Sequence, residues 1–290
     1  MREKKQQLKR YSYLEKKLNS SFLFFTPIAK VLESEDESNQ WRKKEESSDV
    51  SDFLGSLSDE KIEGLSKQVT VGLVLNSGYL DINMFLDQSL KYFKTICEVK
   101  DESFSFDSFT PSNNPTYKGI SYDAVVFCEG FHVYENPYFS FLPFKPVNGD
   151  VLTVKIPSYK YNKILNKNFF LLPFHDDTYR LGATYNWQNL SFQPNEDAKK
   201  ELLKRLGDFV EGEINVIKHE AGVRPSSEDR RPMLGAHPQY KNMHIFNGLG
   251  TKGVMLAPYF AKQMCDFLLN EMSLEQEVSI SRYYHLQKSL

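Results

Sequence analysis

Long apolar runs are missing from this chain. The most hydrophobic stretches, Phe22 to Phe25 and Val71 to Leu75, are far short of the roughly 20 residues needed to cross a bilayer, so no membrane partner is expected. The basic start, Met1 to Arg10, is not followed by the apolar core of a secretion signal. An excess of positive charge is missing too. With 36 Lys and Arg against 38 Asp and Glu, the net charge is -2, which leaves nothing to grip a phosphate backbone and speaks against a nucleic-acid partner. Cysteine is scarce and odd in number. Cys97, Cys128 and Cys265 are widely spaced, which suits reduced thiols in a cytoplasmic protein, read as small buried hydrophobes. No cysteine pair has metal-ligand spacing and the six histidines are scattered, so no metal site is expected. Internal repeats are lacking as well.

What is present is an ordinary core-forming composition. At 290 residues and 40% hydrophobic, the chain can bury two lobes. Leu8, Tyr11, Leu14 and Leu18 recur at helical spacing within Met1 to Ser20. Phe22 to Leu32 is a β-type run punctuated by Pro27, and the polar stretch Glu33 to Asp52 carries a helix near Gln40 to Glu46. Val69 to Leu75 is β-branched and strand-like, Asn76 to Gly78 turns, and Asp81 caps an amphipathic helix ending near Lys94.

Tyr122 to Gly130 reads as a short apolar strand closing on a glycine. Strand-like segments follow at Asp150 to Ile156, Phe169 to Pro173 and Tyr179 to Thr184, then a helix near Glu196 to Leu206. A strand at His244 to Phe246, a glycine loop and a helix from Val254 to Asn270 close the pattern. Helices and strands alternate at both ends around a strand-rich middle. That order predicts a mixed α/β chain, one α/β lobe interrupted by an antiparallel or mixed-sheet lobe.

Two segments carry candidate chemistry. Asn247-Gly-Leu-Gly-Thr-Lys-Gly253 holds three glycines between a strand and a helix. There, bare backbone can come close to a flat, electron-rich ligand and present N–H groups to it. Its G-x-G-x-x-G spacing matches the dinucleotide fingerprint, but that fingerprint opens a βαβ unit of about 30 residues, and this loop stands near the end of the sequence. The ring end of a cofactor is therefore the better partner. The second segment, Ala221-Gly-Val-Arg-Pro225, places Arg224 directly before a proline, where the backbone is stiff. Its guanidinium can fork onto a carboxylate; the competing reading is a salt bridge with Glu228 or Asp229.

In order, Gly78-Tyr-Leu-Asp-Ile-Asn, Tyr122 to Gly130, Pro146-Val-Asn-Gly-Asp-Val-Leu152, Arg180-Leu-Gly-Ala-Thr-Tyr185, Ala221 to Pro225 with Arg231-Pro-Met-Leu-Gly235, and Asn247 to Gly253 make a succession similar to the FAD-dependent D-amino-acid oxidase family, which includes glycine and sarcosine oxidases. The resemblance runs from about Phe22 to Arg282. It implies a Rossmann-like FAD lobe, approximately residues 78–135 and 224–275, interleaved with a mixed or antiparallel-sheet substrate lobe, approximately 20–77 and 136–223. It implies FAD as cofactor and a small-molecule amine or amino acid as substrate, with hydride transfer from the amine-bearing carbon to flavin N5. Gly130 would end the strand beside the cofactor, and Gly248, Leu249, Gly250, Thr251, Lys252 and Gly253 would lie over the flavin pyrimidine and ribityl. Lys252 would stabilise an anionic reduced flavin or simply be solvated. Arg224 would hold the substrate carboxylate, and Tyr185 would face the pocket or sit in the core. No catalytic proton-transfer residue is implied.

One family feature has no counterpart. The first strand–helix turn with G-x-G-x-x-G, and the acidic residue that follows it, are expected to be missing here, since Gly55, Gly64 and Gly72 stand in no such turn. The expectation is thus an oxidoreductase lacking its N-terminal ADP-binding βαβ motif. The alternatives are a non-catalytic remnant or partner-dependent half of such an enzyme, and a plain α/β binding module.

Overall fold

The computed structural model describes residues 2–47, 49–174 and 177–287. Helix α1 (Arg2–Leu18), strands β1 (Leu23–Phe25) and β2 (Ile28–Leu32) and helix α2 (Glu35–Glu45) come first. Strands β3 (Leu54–Glu60), β4 (Val69–Val74) and β5 (Gly78–Leu80) lead to helix α3 (Ile82–Ile96). Short strands β6 (Phe109–Thr110), β7 (Thr116–Tyr117), β8 (Ile120–Ser121) and β9 (Val125–Phe127) follow. Next come β10 (Val147–Lys155), β11 (Ile164–Asn166), β12 (Phe170–Pro173), β13 (Thr178–Gly182) and helix α4 (Glu196–Gly207). Strands β14 (Asn215–Arg224), β15 (Met233–Ala236) and β16 (Met243–Asn247) precede the long helix α5 (Gly253–Asn270). The mixed α/β character read from the sequence is the observed one.

The helix boundaries follow local chemistry. Ser34 caps α2 by accepting the Glu37 N–H, and the Glu37 carboxylate reaches back to the Glu33 N–H at 2.7 Å. The helix therefore begins several residues before the Gln40 expected from composition. Asp81 caps α3 as anticipated, accepting the Met84 N–H at 3.0 Å. Asn195 caps α4 through the N–H groups of Asp197 and Ala198. Strand β3, Leu-Gly-Ser-Leu-Ser-Asp-Glu, escaped the sequence reading because it is polar and sits at a sheet edge.

The chain divides into two compact units: Ser12–Ser89 with Asn148–Gly222, and Arg2–Tyr11 with Leu90–Val147 and Val223–Leu290. The first unit is built on an eight-stranded sheet of order β14-β10-β13-β12-β11-β2-β4-β3. The β11–β2 pair is parallel, and the β10–β13, β12–β13, β11–β12, β2–β4 and β3–β4 pairs are antiparallel. Alternate residues Ala29 and Val31, Val69 and Val71, Leu152 and Val154, and Tyr179 and Leu181 turn to one face, where Leu202 and Leu206 of α4 complete the core. On the other face Gly72 lies under the Trp41 ring of α2, so close that a Cβ there would stand 2.4 Å from the indole.

The second unit has a three-stranded sheet, β15-β16-β9, whose β16–β9 pair is parallel. Both faces of this sheet are covered, as parallel pairing requires. Met233, Met243 and Ile245 face an aromatic cluster with Phe109, Phe127 and Phe139, and Leu234 faces Phe260 and Met264 of α5. The three cysteines are free and exposed rather than buried hydrophobes. Cys97 follows the end of α3, Cys128 follows the end of β9, and Cys265 lies on α5. No helix among the described residues is long and apolar enough to cross a membrane.

Candidate functional site

The parallel register of β9 and β16 sets Ile245 beside Phe127, so β16 runs two residues past the carboxyl end of β9, to Asn247. The chain leaving β9 turns at Gly130, and the chain leaving β16 turns at Gly248. Asn247, buried at the end of β16, joins the two turns. Its Nδ2 donates to the Gly130 carbonyl at 2.9 Å and its Oδ1 accepts the Gly248 N–H at 2.8 Å. An amide side chain is needed because one group must donate and the other accept. Gly130 adopts φ 57°, and a Cβ there would meet no atom within 4 Å. The space beside it is open to a ligand, while its backbone conformation disfavours any side chain.

The glycine loop is held from a second side by the segment that follows Arg224. Gly250 donates its N–H to the Pro225 carbonyl at 3.3 Å, and Ser226 forms a bridge with Leu249. Gly250 has φ 53°, and a Cβ on it would stand 2.9 Å from the Ser226 hydroxyl. The loop then tightens through a 3-10 turn, Gly250–Lys252, directly into α5 at Gly253. Thr251 and Lys252 are exposed at the positive end of the helix dipole. Arg224 ends β14, half-buried, with its carbonyl accepting the Ser226 N–H at 2.9 Å. Glu129, next to Gly130, accepts a hydrogen bond from Asn136 Nδ2 at 2.9 Å. Burial raises its pKa against the opposing effect of that bond, and the Glu135 charge adds to the rise.

The predicted residues Gly130, Arg224 and Gly248 to Gly253 therefore come together in one unit. Tyr185 belongs to the other. It is 55% exposed and stacked on Trp187 with ring centroids 6.2 Å apart, which corrects the core-aromatic reading: past the end of β13 the chain stays bridged to β10 through Asn186 and Asn148, with the Tyr185 ring in solvent. It lines a polar cavity of about 240 Å³ with Asn148, Asp150, Thr184 and Asn195. There the buried Asp150 carboxylate binds His219 Nε2 at 2.8 Å and the Asn195 N–H at 2.9 Å. Arg180 is held by Glu220 and by Thr153. Arg231 pairs with Glu277, and Asp229 with Arg282, so that segment is occupied by structural ion pairs. The sequence assigns no contact of their own to Asn247, Pro225, Ser226 or Glu129. An Asn immediately before a glycine at a strand end was the one signal that pointed to Asn247. No group of three metal-ligating side chains occurs among the described residues.

A glycine loop at the carboxyl ends of parallel strands, running into a helix N-terminus, is the arrangement in which α/β proteins hold nucleotide-like cofactors. Bare backbone beside open space at Gly130 suits a flat ring system in particular. The family model described as FAD dependent oxidoreductase matches residues 102–267, more than half of the chain, and the chain belongs to that family. It is 26% identical over 129 residues to glycine oxidase of Bacillus licheniformis, a match covering 43% of this chain and 35% of that protein. The chain thus spans about a third of the length of that curated relative. Among solved structures, iminodiacetate oxidase from Chelativorans sp. BNC1 superposes with a TM-score of 0.77 at 16% identity, over 96% of this chain and 82% of the other. Glycine oxidase from Geobacillus kaustophilus does so with 0.76 at 17%, over 98% and 82%. At those identities the likeness is one of fold.

Proposed function

We propose that this chain carries the ring-side cofactor site and the carboxylate-binding arginine of an FAD-dependent oxidoreductase acting on an amine or amino acid. The observation that carries this reading is the hydrogen-bonded junction of Gly130, Asn247 to Gly250 and Pro225–Ser226. In this reading the unit containing residues 90–147 and 223–290 is the cofactor lobe, and the unit containing residues 12–89 and 148–222 is the substrate lobe. FAD, when bound, supplies the hydride acceptor, its N5. The chain does the rest by position. Gly130 leaves open space for the ring, and Gly250 lets the loop pack against Ser226, so the loop backbone approaches the ring without Cβ clashes. Lys252, at the helix N-terminus, would place positive charge beside the bound ring. Arg224 forks onto the substrate carboxylate and so fixes the amine-bearing carbon. The named substrates of the relatives, glycine and iminodiacetate, both carry nitrogen on the carbon next to a carboxylate, which fits this assignment. Tyr185 is the candidate contact in the substrate lobe.

The deciding experiment is a visible absorption spectrum of the purified chain with and without added FAD. A bound-flavin spectrum that is bleached by an amino acid supports the reading, and Arg224→Lys should then raise KM far more than it lowers kcat. A chain that stays colourless with FAD in excess favours the non-catalytic or partner-dependent alternative.

A further inference from the structure

The glycine loop has a third anchor, supplied from the far end of the sequence. Helix α5 contains Pro258, which has no N–H, so the carbonyl of Val254, four residues earlier, loses its helical donor. Val254 is the second residue of α5, one step past Gly253. Tyr11 of α1 lies against it: its hydroxyl donates to the Val254 carbonyl at 2.6 Å, and the adjacent Arg10 guanidinium donates to the Pro258 carbonyl. Residues Arg2–Tyr11 belong to the same compact unit as α5. Tyr11 is only 6% exposed. A tyrosine buried at this point has one polar atom to satisfy, and a proline-orphaned carbonyl has one donor to find. The hydroxyl supplies the donor that Pro258 withholds.

The consequence concerns the loop. Asn247 holds its beginning and Pro225 its middle; its end is the first turn of α5, the turn that Pro258 weakens. We infer that Tyr11 is a positioning residue for the cofactor loop Gly248–Gly253, replacing through the Val254 carbonyl the helical hydrogen bond that Pro258 removes. Its bearing on flavin rests on the cofactor reading above; its bearing on the loop does not. The hydroxyl is a donor throughout the physiological range, because burial pushes its pKa up to about 12.

The test is a double-mutant cycle in the full chain. Tyr11→Phe removes only the hydroxyl, and Pro258→Ala returns a backbone N–H to Val254 while leaving the carbonyl that Arg10 uses. Amide hydrogen exchange over Leu249–Met255 should speed up about tenfold in Tyr11→Phe. The same change made in the Pro258→Ala background should have almost no effect, a coupling a general packing role would not produce. FAD affinity, followed by flavin fluorescence, should weaken by a similar factor in Tyr11→Phe and recover in the double variant. Unchanged exchange in Tyr11→Phe, or an equal effect in both backgrounds, overturns the inference. If Tyr11→Phe alone does not fold, rescue of folding by Pro258→Ala supports the inference and failure to rescue overturns it. If the unaltered chain binds no FAD, the cofactor reading fails, and the exchange measurements still decide the role of Tyr11.

Discussion

The two units reach a folded state by different means. The first relies on repetition: strand after strand sends alternate aliphatic residues to one face of a single sheet, and one continuous core results. The second has two short three-stranded sheets and two separate apolar clusters, with aromatic rings gathered mainly in the one around Phe127. It depends on individual contacts, such as the Asn247 amide spanning two turns, glycines at positive φ, and a tyrosine meeting a proline-orphaned carbonyl. Stiffness spread over many equivalent contacts makes a scaffold. Specific contacts at strand ends are what shape a ligand site, and they are more easily lost.

The contrast can be pressed experimentally. Leu171, fully buried in the middle of the large sheet, should give the largest loss: Leu171→Ala is expected to cost about 2–5 kcal/mol in urea unfolding. Both tryptophans, Trp41 and Trp187, lie in the first unit, so their fluorescence follows that unit and should report this loss directly. A loss below 1 kcal/mol would break the picture of one tightly packed core.

Acid should act on the second unit instead. His244 is buried against the edge of Phe267, and its Nδ1 has no hydrogen-bond partner among the described residues. Burial lowers its pKa to about 4 and also lowers that of the buried His237. A histidine in the unfolded chain takes up a proton near pH 6.5, whereas the folded His244 refuses it until about pH 4. Its contribution is therefore complete above pH 6.5 and is lost as the pH falls from 6.5 towards 4, in total on the order of 3 kcal/mol. Hydrogen exchange at pH 7 and pH 5 should show the second unit opening while tryptophan fluorescence stays unchanged. His244→Phe should flatten that pH dependence; an unaltered slope would remove His244 as its cause.

Gly250→Val forces a β-branched residue into φ 53° against Ser226. It should cost about 1–3 kcal/mol and weaken FAD binding at least tenfold in fluorescence titration. The tryptophan-detected midpoint should not move. A shift of that midpoint would mean that the two units are not energetically separable. The smallest effect is expected at Arg231, whose exposed ion pair with Glu277 should be worth less than about 1 kcal/mol by thermal unfolding of Arg231→Ala.

Much of the first unit was legible because alternation is a local signal. The runs Val69 to Leu75, Asp150 to Ile156 and Tyr179 to Thr184 each declare a strand within seven residues. Strand β3 was missed because an edge strand need not be apolar, and the cysteines were misplaced because composition says nothing about which side of an element faces water. In the second unit the glycine loop and Arg224 were visible as separate segments. Their meeting was not, since it depends on the parallel register of β9 with β16 and on Ser226 reaching Leu249.

Local sequence accounts for the alternation that builds the large sheet, the Asp81 cap, the glycines needed at the loop and the succession of segments that marks the family. Those features are encoded in neighbouring residues through sterics and local hydrogen bonding. Long-range packing settles that Asn247 binds Gly130, that Pro225 holds Gly250, and that Tyr11, 243 residues from Val254, finds the carbonyl left open by Pro258. A donor separated from its acceptor by most of the chain leaves no periodicity to read. Such a pair is chosen by which buried polar groups the completed packing leaves unsatisfied.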